Sequence, residues 1–272
     1  MNGIFMAVST RIPNFMKKFL TIVKQFRPNT FPIFIYTLIH IIYSSGYPQG
    51  INDNFITREL SRNISAHILS EDGLSQNTVH SILQDSKGFM WFATEDGLNK
   101  YDGYNFTVYK NNQRDKNSIS DNFIWVLFED RNGVLWIGTN NGGLCKFDRD
   151  KEAFTTYKNI PGNLNSISLN NIRSIYEDKE ETLWIGTEGA GLEKFDREKN
   201  RFIHYRNNPR DPSSISDNVI LSIFEDNSGE LWVGHNAGLD KLDRERNKFV
   251  HFLKLIENAA DGLRPVFSIC QD

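Results

Sequence analysis

From residue 71 onward the apolar residues of this chain fall into short clusters separated by polar turns, and the clusters recur in a fixed order. The first cluster is a mixed apolar run closing on an acidic pair or Gln-Asp: Val79 to Asp85, Ile124 to Asp130, Ile172 to Asp178 and Ile220 to Asp226. The second is centred on Trp91, Trp136, Trp184 and Trp232, and the third reads Gly-Leu-x-Lys followed by an aromatic or Leu and Asp. The fourth is short and aromatic: Phe106 to Tyr109, Phe154 to Tyr157, Phe202 to Tyr205 and Phe249 to Phe252. All are rich in Ile, Val, Phe, Tyr, Trp and Thr, which fit a pleated surface, so each cluster predicts a strand. The Trp-to-Trp steps are 45, 48 and 48 residues, enough for one four-stranded sheet and its turns.

The turns agree. Asp85 to Gly88, Asp130 to Gly133 and Asp226 to Gly229 end on a Gly that accepts positive φ. Glu181 stands at that place in the third copy, which predicts a different or strained turn. Several strands are apolar on both faces, as sheets covered on both sides require. No window holds a 3.6-residue apolar period, which argues against a strand-plus-helix solenoid. The predicted fold is therefore all-β: a β-propeller of four-stranded blades, incomplete, with four blades and the start of a fifth. The blades are expected near residues 71–115, 116–163, 164–211 and 212–258, with 259–272 partial. A ring of this kind typically needs 4–8 blades, so the chain is expected to be a portion of a longer protein. Polar connectors (Asn111 to Asn122, Asn159 to Asn170, Asn207 to Asn218) end Ser-Ile-Ser-x-Asn and read as scaffold that fixes the start of the next blade.

The first 46 residues follow another pattern. Lys17, Lys18, Lys24 and Arg27 precede an apolar run from Phe31 to Tyr43, followed by Ser44, Ser45 and Gly46. A basic flank, a run this short and small residues after it predict a secretory signal peptide, with an N-terminal anchor as the alternative and Met16 as an alternative start. Residues 47–70 form an N-terminal segment in which Ala66 to Leu69 is a candidate ring-closing strand.

Composition narrows the function classes. The formal net charge is −3 with no basic patch, and the aromatic residues sit at strand spacing, which excludes a nucleic-acid face. Cys145 and Cys270 have no metal or disulfide spacing; Cys145 is expected to be an exposed thiol and Cys270 a buried one. No nucleophile-elbow, zinc-protease or phosphate-loop motif occurs. No catalytic residue, metal ligand or cofactor is assigned. His204 and His251 share one column of the fourth strand and are expected at the rim. Lys100, Lys146, Lys194 and Lys241 are expected to lay their stems on the sheet with the charge in water.

The candidate chemistry lies where the repeat fails. Midway along the first strand stand His80, Trp125, Arg173, Leu221 and Phe267, while neighbouring columns repeat. The first strand of a propeller blade lines the central channel. His80, Trp125 and Arg173 are therefore candidate ligand contacts: an aromatic face for stacking a sugar ring, with Arg and His for hydroxyls or a carboxylate. The loop after the Trp strand adds Glu95, Asn140, Glu188 and His235, the last replacing the Thr of the other copies.

The stretch from Glu71 to Gly103, and the Leu-Trp-Ile-Gly-Thr and Gly-Leu-x-Lys-Phe-Asp elements after it, resemble the two-component regulator propeller repeat. The resemblance covers Glu71 to Asp272. It implies the sensor part of a hybrid two-component histidine kinase of Bacteroidetes type: paired propellers outside the cell, a β-sandwich, one membrane span, then kinase and often a response regulator. Kinase activity belongs to that presumed parent and not to this segment. The implied function is an extracytoplasmic ligand-sensing propeller in a phosphorelay, responding to an oligosaccharide or other small molecule. It would be membrane-tethered and homodimeric in the parent, with a C-terminal propeller, membrane and kinase parts as its missing partners. The alternatives are a propeller enzyme of lyase or hydrolase type and a protein-interaction scaffold.

Overall fold

The computed structural model describes residues 69–252 and 265–271. The expected leader, the Met16 start and residues 66–68 of the expected ring-closing strand lie outside these residues. Four antiparallel four-stranded sheets follow in chain order, each with its strands in sequential order. Sheet one holds β1 (Val79–Gln84), β2 (Met90–Thr94), β3 (Gly97–Tyr101) and β4 (Phe106–Tyr109). Sheet two holds β5 (Ile124–Glu129), β6 (Leu135–Thr139), β7 (Leu144–Asp148) and β8 (Ala153–Tyr157). Sheet three holds β9 (Ile172–Glu177), β10 (Leu183–Thr187), β11 (Leu192–Asp196) and β12 (Arg201–Tyr205). Sheet four holds β13 (Ile220–Glu225), β14 (Leu231–His235), β15 (Gly238–Asp243) and β16 (Lys248–His251). The predicted all-β propeller blades are thus present, one per repeated second-strand tryptophan.

Adjacent blades pack face to face, with first strands β1, β5, β9 and β13 neighbouring one another. Each core cluster is a seam between two blades. One seam joins Trp91 and Leu98 of blade one to Ile124, Leu135 and Phe147 of blade two. Every buried Ile or Leu in such a seam contributes about 1.5–3 kcal/mol. The seams need close backbone approach, which explains the Gly of Trp-Ile-Gly. A Cβ on Gly186 would collide with Ser174 and lie 2.7 Å from Ile220 Cγ2 of the next blade.

A polar staple accompanies each seam. Trp91 Nε1 donates to Asp85 Oδ2 at 2.7 Å, and Arg149 of blade two binds the same carboxylate while reaching Glu129 at 2.8 Å. Trp136, Asp130, Arg197 and Glu177 repeat the arrangement, as do Trp184, Asp178, Arg244 and Glu225. Burial alone would push Asp85, Asp130 and Asp178 up. The indole N–H, the arginine and a backbone N–H outweigh it, and all three carboxyls lie below the ordinary value. Each blade's closing Glu also accepts a turn N–H of the preceding blade: Glu129 from Ser86, Glu177 from Arg131, Glu225 from Lys179, each at 2.7–2.8 Å.

Residues 265–271 lie where the first strand of a fifth blade was expected. They form no ladder, yet Gln271 makes the contact of the closing Glu residues. Gln271 Oε1 accepts from Asn227 N at 2.8 Å, and Val266 O accepts from Ser222 Oγ at 3.0 Å.

Two expectations, both about cysteines, need correction. Cys145 is fully buried, not exposed. Its column in the third strand faces the connector, and its Sγ sits 3.0 Å from Ser120 Oγ. Burial pushes that thiol up. Cys270 is exposed, because no sheet among the described residues packs on its segment. His204 and His251 stand on the fourth, edge strand of their sheets and are packed there: each pairs across the ladder with a buried acid, Glu193 and Asp240, and bonds a connector carbonyl at 2.8 Å through Nε2. The turn at Glu181 keeps the geometry of the others, its N–H donating to Asp178 O at 3.0 Å, so the strain sits in Glu181 itself at φ 61°. Three of the repeated lysines, Lys100, Lys194 and Lys241, hold Nζ 5.7–5.9 Å from the blade tryptophan rings, and Lys241 also pairs with Glu230.

Candidate functional site at the bulged ends of the first strands

In every blade the pairing of the first two strands skips one residue. Val79 pairs with Thr94 and Ser81 with Ala93, leaving His80 unmatched. Trp125 is skipped between Ile124 and Val126, Arg173 between Ile172 and Ser174, and Leu221 between Ile220 and Ser222. An extra residue of this kind leaves the ladder and re-aims its side chain. The four bulged residues and Phe267 line one open cavity of about 220 Å³. The column that fails to repeat in sequence is therefore the column that converges in space.

Aromatic, charged and aliphatic groups line it together. The His80 ring lies 4.4 Å from Trp125 and stacks on Phe123 at 5.1 Å. Arg173 places its Cζ 3.9 Å over the Trp125 ring, a cation–π contact that holds the guanidinium at the cavity. The loops after the second strands supply counter-charges. His80 Nε2 is 3.4 Å from Glu95 Oε1, and Arg173 Nε is 2.5 Å from Glu188 Oε2. Neither contact is aligned along an N–H bond, so His80 Nε2 and Glu188 Oε2 stay without a hydrogen-bond partner although shielded from solvent. Arg173 and Glu188 form an ion pair, and His80 lies beside Glu95. Asn140 Oδ1 accepts from Trp125 Nε1 and from Asn171 Nδ2, both at 3.1 Å. An indole N–H only donates, which fixes the Asn140 amide, and that in turn fixes Asn171. Asn171 Oδ1 is left without a donor.

Six of the seven residues singled out from sequence thus gather at one place: His80, Trp125 and Arg173 on the bulges, Glu95, Asn140 and Glu188 on the loops. His235 does not join them. It is 1 % exposed and turned into blade four, 3.3 Å from Asp240. It takes the place of Thr94, Thr139 and Thr187, whose hydroxyls donate to the backbone at the start of the third strand. Phe123 and Asn171 were missed. They share the column immediately before the first strand, where Thr78, Phe123, Asn171 and Val219 also fail to repeat, and that variation was the available signal. Among the described residues no group of His, Cys, Asp and Glu is placed to hold a metal.

Comparison with known proteins is consistent from repeat to repeat. The family described as "Two component regulator propeller" matches residues 73–96, 118–141, 166–189 and 214–237. Each match runs from the connector through the bulged strand and the Trp strand into the loop beyond. Among solved structures, the chain is similar to the extracellular domain of BT3049 from B. thetaiotaomicron, described as a hybrid two component system. The two are 27 % identical with a TM-score of 0.54, over 68 % of this chain and 31 % of that one. It is also similar to the extracellular domain of BT4673 from the same organism, at 28 % identity and a TM-score of 0.54, over 64 % of this chain and 25 % of that one. A curated relative, histidine kinase P4 of Formosa agariphila, is 55 % identical over 49 residues, which is 18 % of this chain and 4 % of that protein. The chain therefore spans only a small part of the relatives it matches. The described blades are two component regulator propeller repeats.

Proposed function

We propose that this propeller segment is the extracytoplasmic, ligand-sensing part of a two-component signalling protein, and that the bulge-lined cavity is where the ligand sits. The observation that carries the reading is the divergence of one column. The blade tryptophan and its aspartate recur in all four blades, while the cavity presents His, Trp, Arg, Leu and Phe at equivalent positions. A scaffold needs no such variety; a site that must recognise one molecule does. The solved extracellular domains of two component systems that this chain resembles favour a sensor over an enzyme. The ligand class is a glycan fragment. Trp125 and His80 offer stacking surface, and the surrounding amide, carboxylate and guanidinium groups offer hydrogen bonds to hydroxyls. Signalling would require that the ligand bind one arrangement of the ectodomains better than another, since equal affinity for both shifts nothing.

The test is isothermal calorimetry of the chain against a panel of di- and trisaccharides, with Trp125→Ala and Arg173→Ala alongside. Saturable heat that both variants lose, at unchanged thermal midpoint, is expected. Heat that survives both substitutions would move the ligand elsewhere, and silence across the panel would favour a protein-interaction scaffold.

A further inference from the structure

We infer that the cavity selects an uncharged, hydroxyl-rich ring and rejects acidic sugars; this rests on the ligand-site reading above and sharpens it. The first ground is hydrogen-bond arithmetic. One oxygen in the group around Trp125, Asn171 Oδ1, is shielded from solvent and lacks a donor. A buried acceptor without a donor costs about 1–3 kcal/mol, so a ligand that brings donors removes a standing penalty. Hydroxyls bring donors; a carboxylate brings acceptors only.

The second ground is charge. The two groups that would attract an acid are already matched, Arg173 by Glu188 at 2.5 Å and His80 by Glu95 at 3.4 Å. Arg173 is the one guanidinium lining the cavity, and Glu95 and Glu188 stand beside the lining residues, which disfavours an anion. A cationic amino sugar meets a different obstacle. Arg173 occupies the face of Trp125, with Cζ 3.9 Å from the ring, and would repel a second cation there. The third ground is shape. Leu221 and Phe267 also line the cavity, giving apolar surface for the C–H face of a sugar ring.

The experiment compares three length-matched sets of di- and trisaccharides on the whole chain by calorimetry: neutral hexosides and pentosides, uronates, and de-N-acetylated amino sugars. The tightest neutral ligand is expected to bind at least ten-fold more tightly than the tightest uronate or amino sugar. Glu188→Gln should then narrow the neutral-over-uronate ratio to within a few fold, because Arg173 is released to meet a ligand carboxylate. The backbone of Glu188, which bridges to Val219, is untouched by that change, and an unaltered far-ultraviolet spectrum will verify folding. A uronate or amino sugar binding as tightly as the neutral set would overturn the charge argument while leaving the site in place. A ratio unmoved by Glu188→Gln would remove Glu188 as its cause and overturn it likewise. No binding by any set would overturn the ligand-site reading and this inference with it.

Discussion

The seams between blades and the cavity at the strand ends are built from the same repeat and obey opposite rules. At the seams, Trp, Asp, Arg and Glu recur at equivalent positions with nearly equal distances: the indole-to-carboxylate bond is 2.7, 2.8, 2.8 and 2.8 Å in the four blades. At the cavity, no residue type recurs in the bulged column except by class. The seam must reproduce one packing geometry at every interface, so any departure costs stability. The bulge carries its side chain out of the ladder, so it is free to differ without disturbing the sheet. Recognition is placed where the fold makes the fewest demands.

Separating the two regions by mutation is the strongest way to break this comparison. Trp136→Ala removes a 1 % exposed side chain together with the donor to Asp130, and should lower unfolding free energy by about 3–5 kcal/mol in urea titrations. Trp125→Ala, at a half-buried bulge, should cost less than about 1 kcal/mol. Equal losses would show that the cavity column is also scaffold.

Acid should act on the seams next. Asp85, Asp130 and Asp178 have native pKa values held below their unfolded values. Their contribution is present above the unfolded value of about 3.9 and is lost as pH falls through the lower native values. Stability measured between pH 6 and pH 3 should therefore fall below about pH 4, and Asp130→Asn should flatten that fall. A variant as acid-sensitive as the parent would separate the staple from the pH response. The smallest effect concerns the third blade's turn. Glu181 holds φ 61° where the other turns have Gly88, Gly133 and Gly229. Glu181→Gly should raise the unfolding free energy by about 1 kcal/mol, and an unchanged or lower midpoint would mean the turn tolerates Glu without strain.

Much of the scaffold could be read from the chain because each strand recurs with its turn and connector, so four copies corrected one another. The cavity residues His80, Trp125 and Arg173 could be read for the opposite reason, as the place where copies disagree. What aims them could not. A bulge is a skip in pairing, and since every blade skips at the same column, the spacing is constant and leaves no trace. The arginine staple was hidden by distance: Arg149, Arg197 and Arg244 lie 64, 67 and 66 residues from the Asp each binds, across a blade boundary. Cys145 was misplaced because a variable column suggests solvent. Asn99, Glu193 and Asp240 vary there while buried, each satisfied locally, as when Asp240 accepts from Ser216 at 2.7 and 2.9 Å.

The chain has five tryptophans, and their indole N–H groups divide along the same line: four donate to a seam aspartate and Trp125 donates to Asn140. A ¹H–¹⁵N spectrum of the indoles, with Trp125 assigned through Trp125→Phe, reads both regions at once during titration with a neutral trisaccharide drawn from the calorimetric panel. The Trp125 resonance should move with added sugar while the four seam resonances stay in place. Movement of the seam indoles with Trp125 unchanged would contradict the division of labour between seam and cavity.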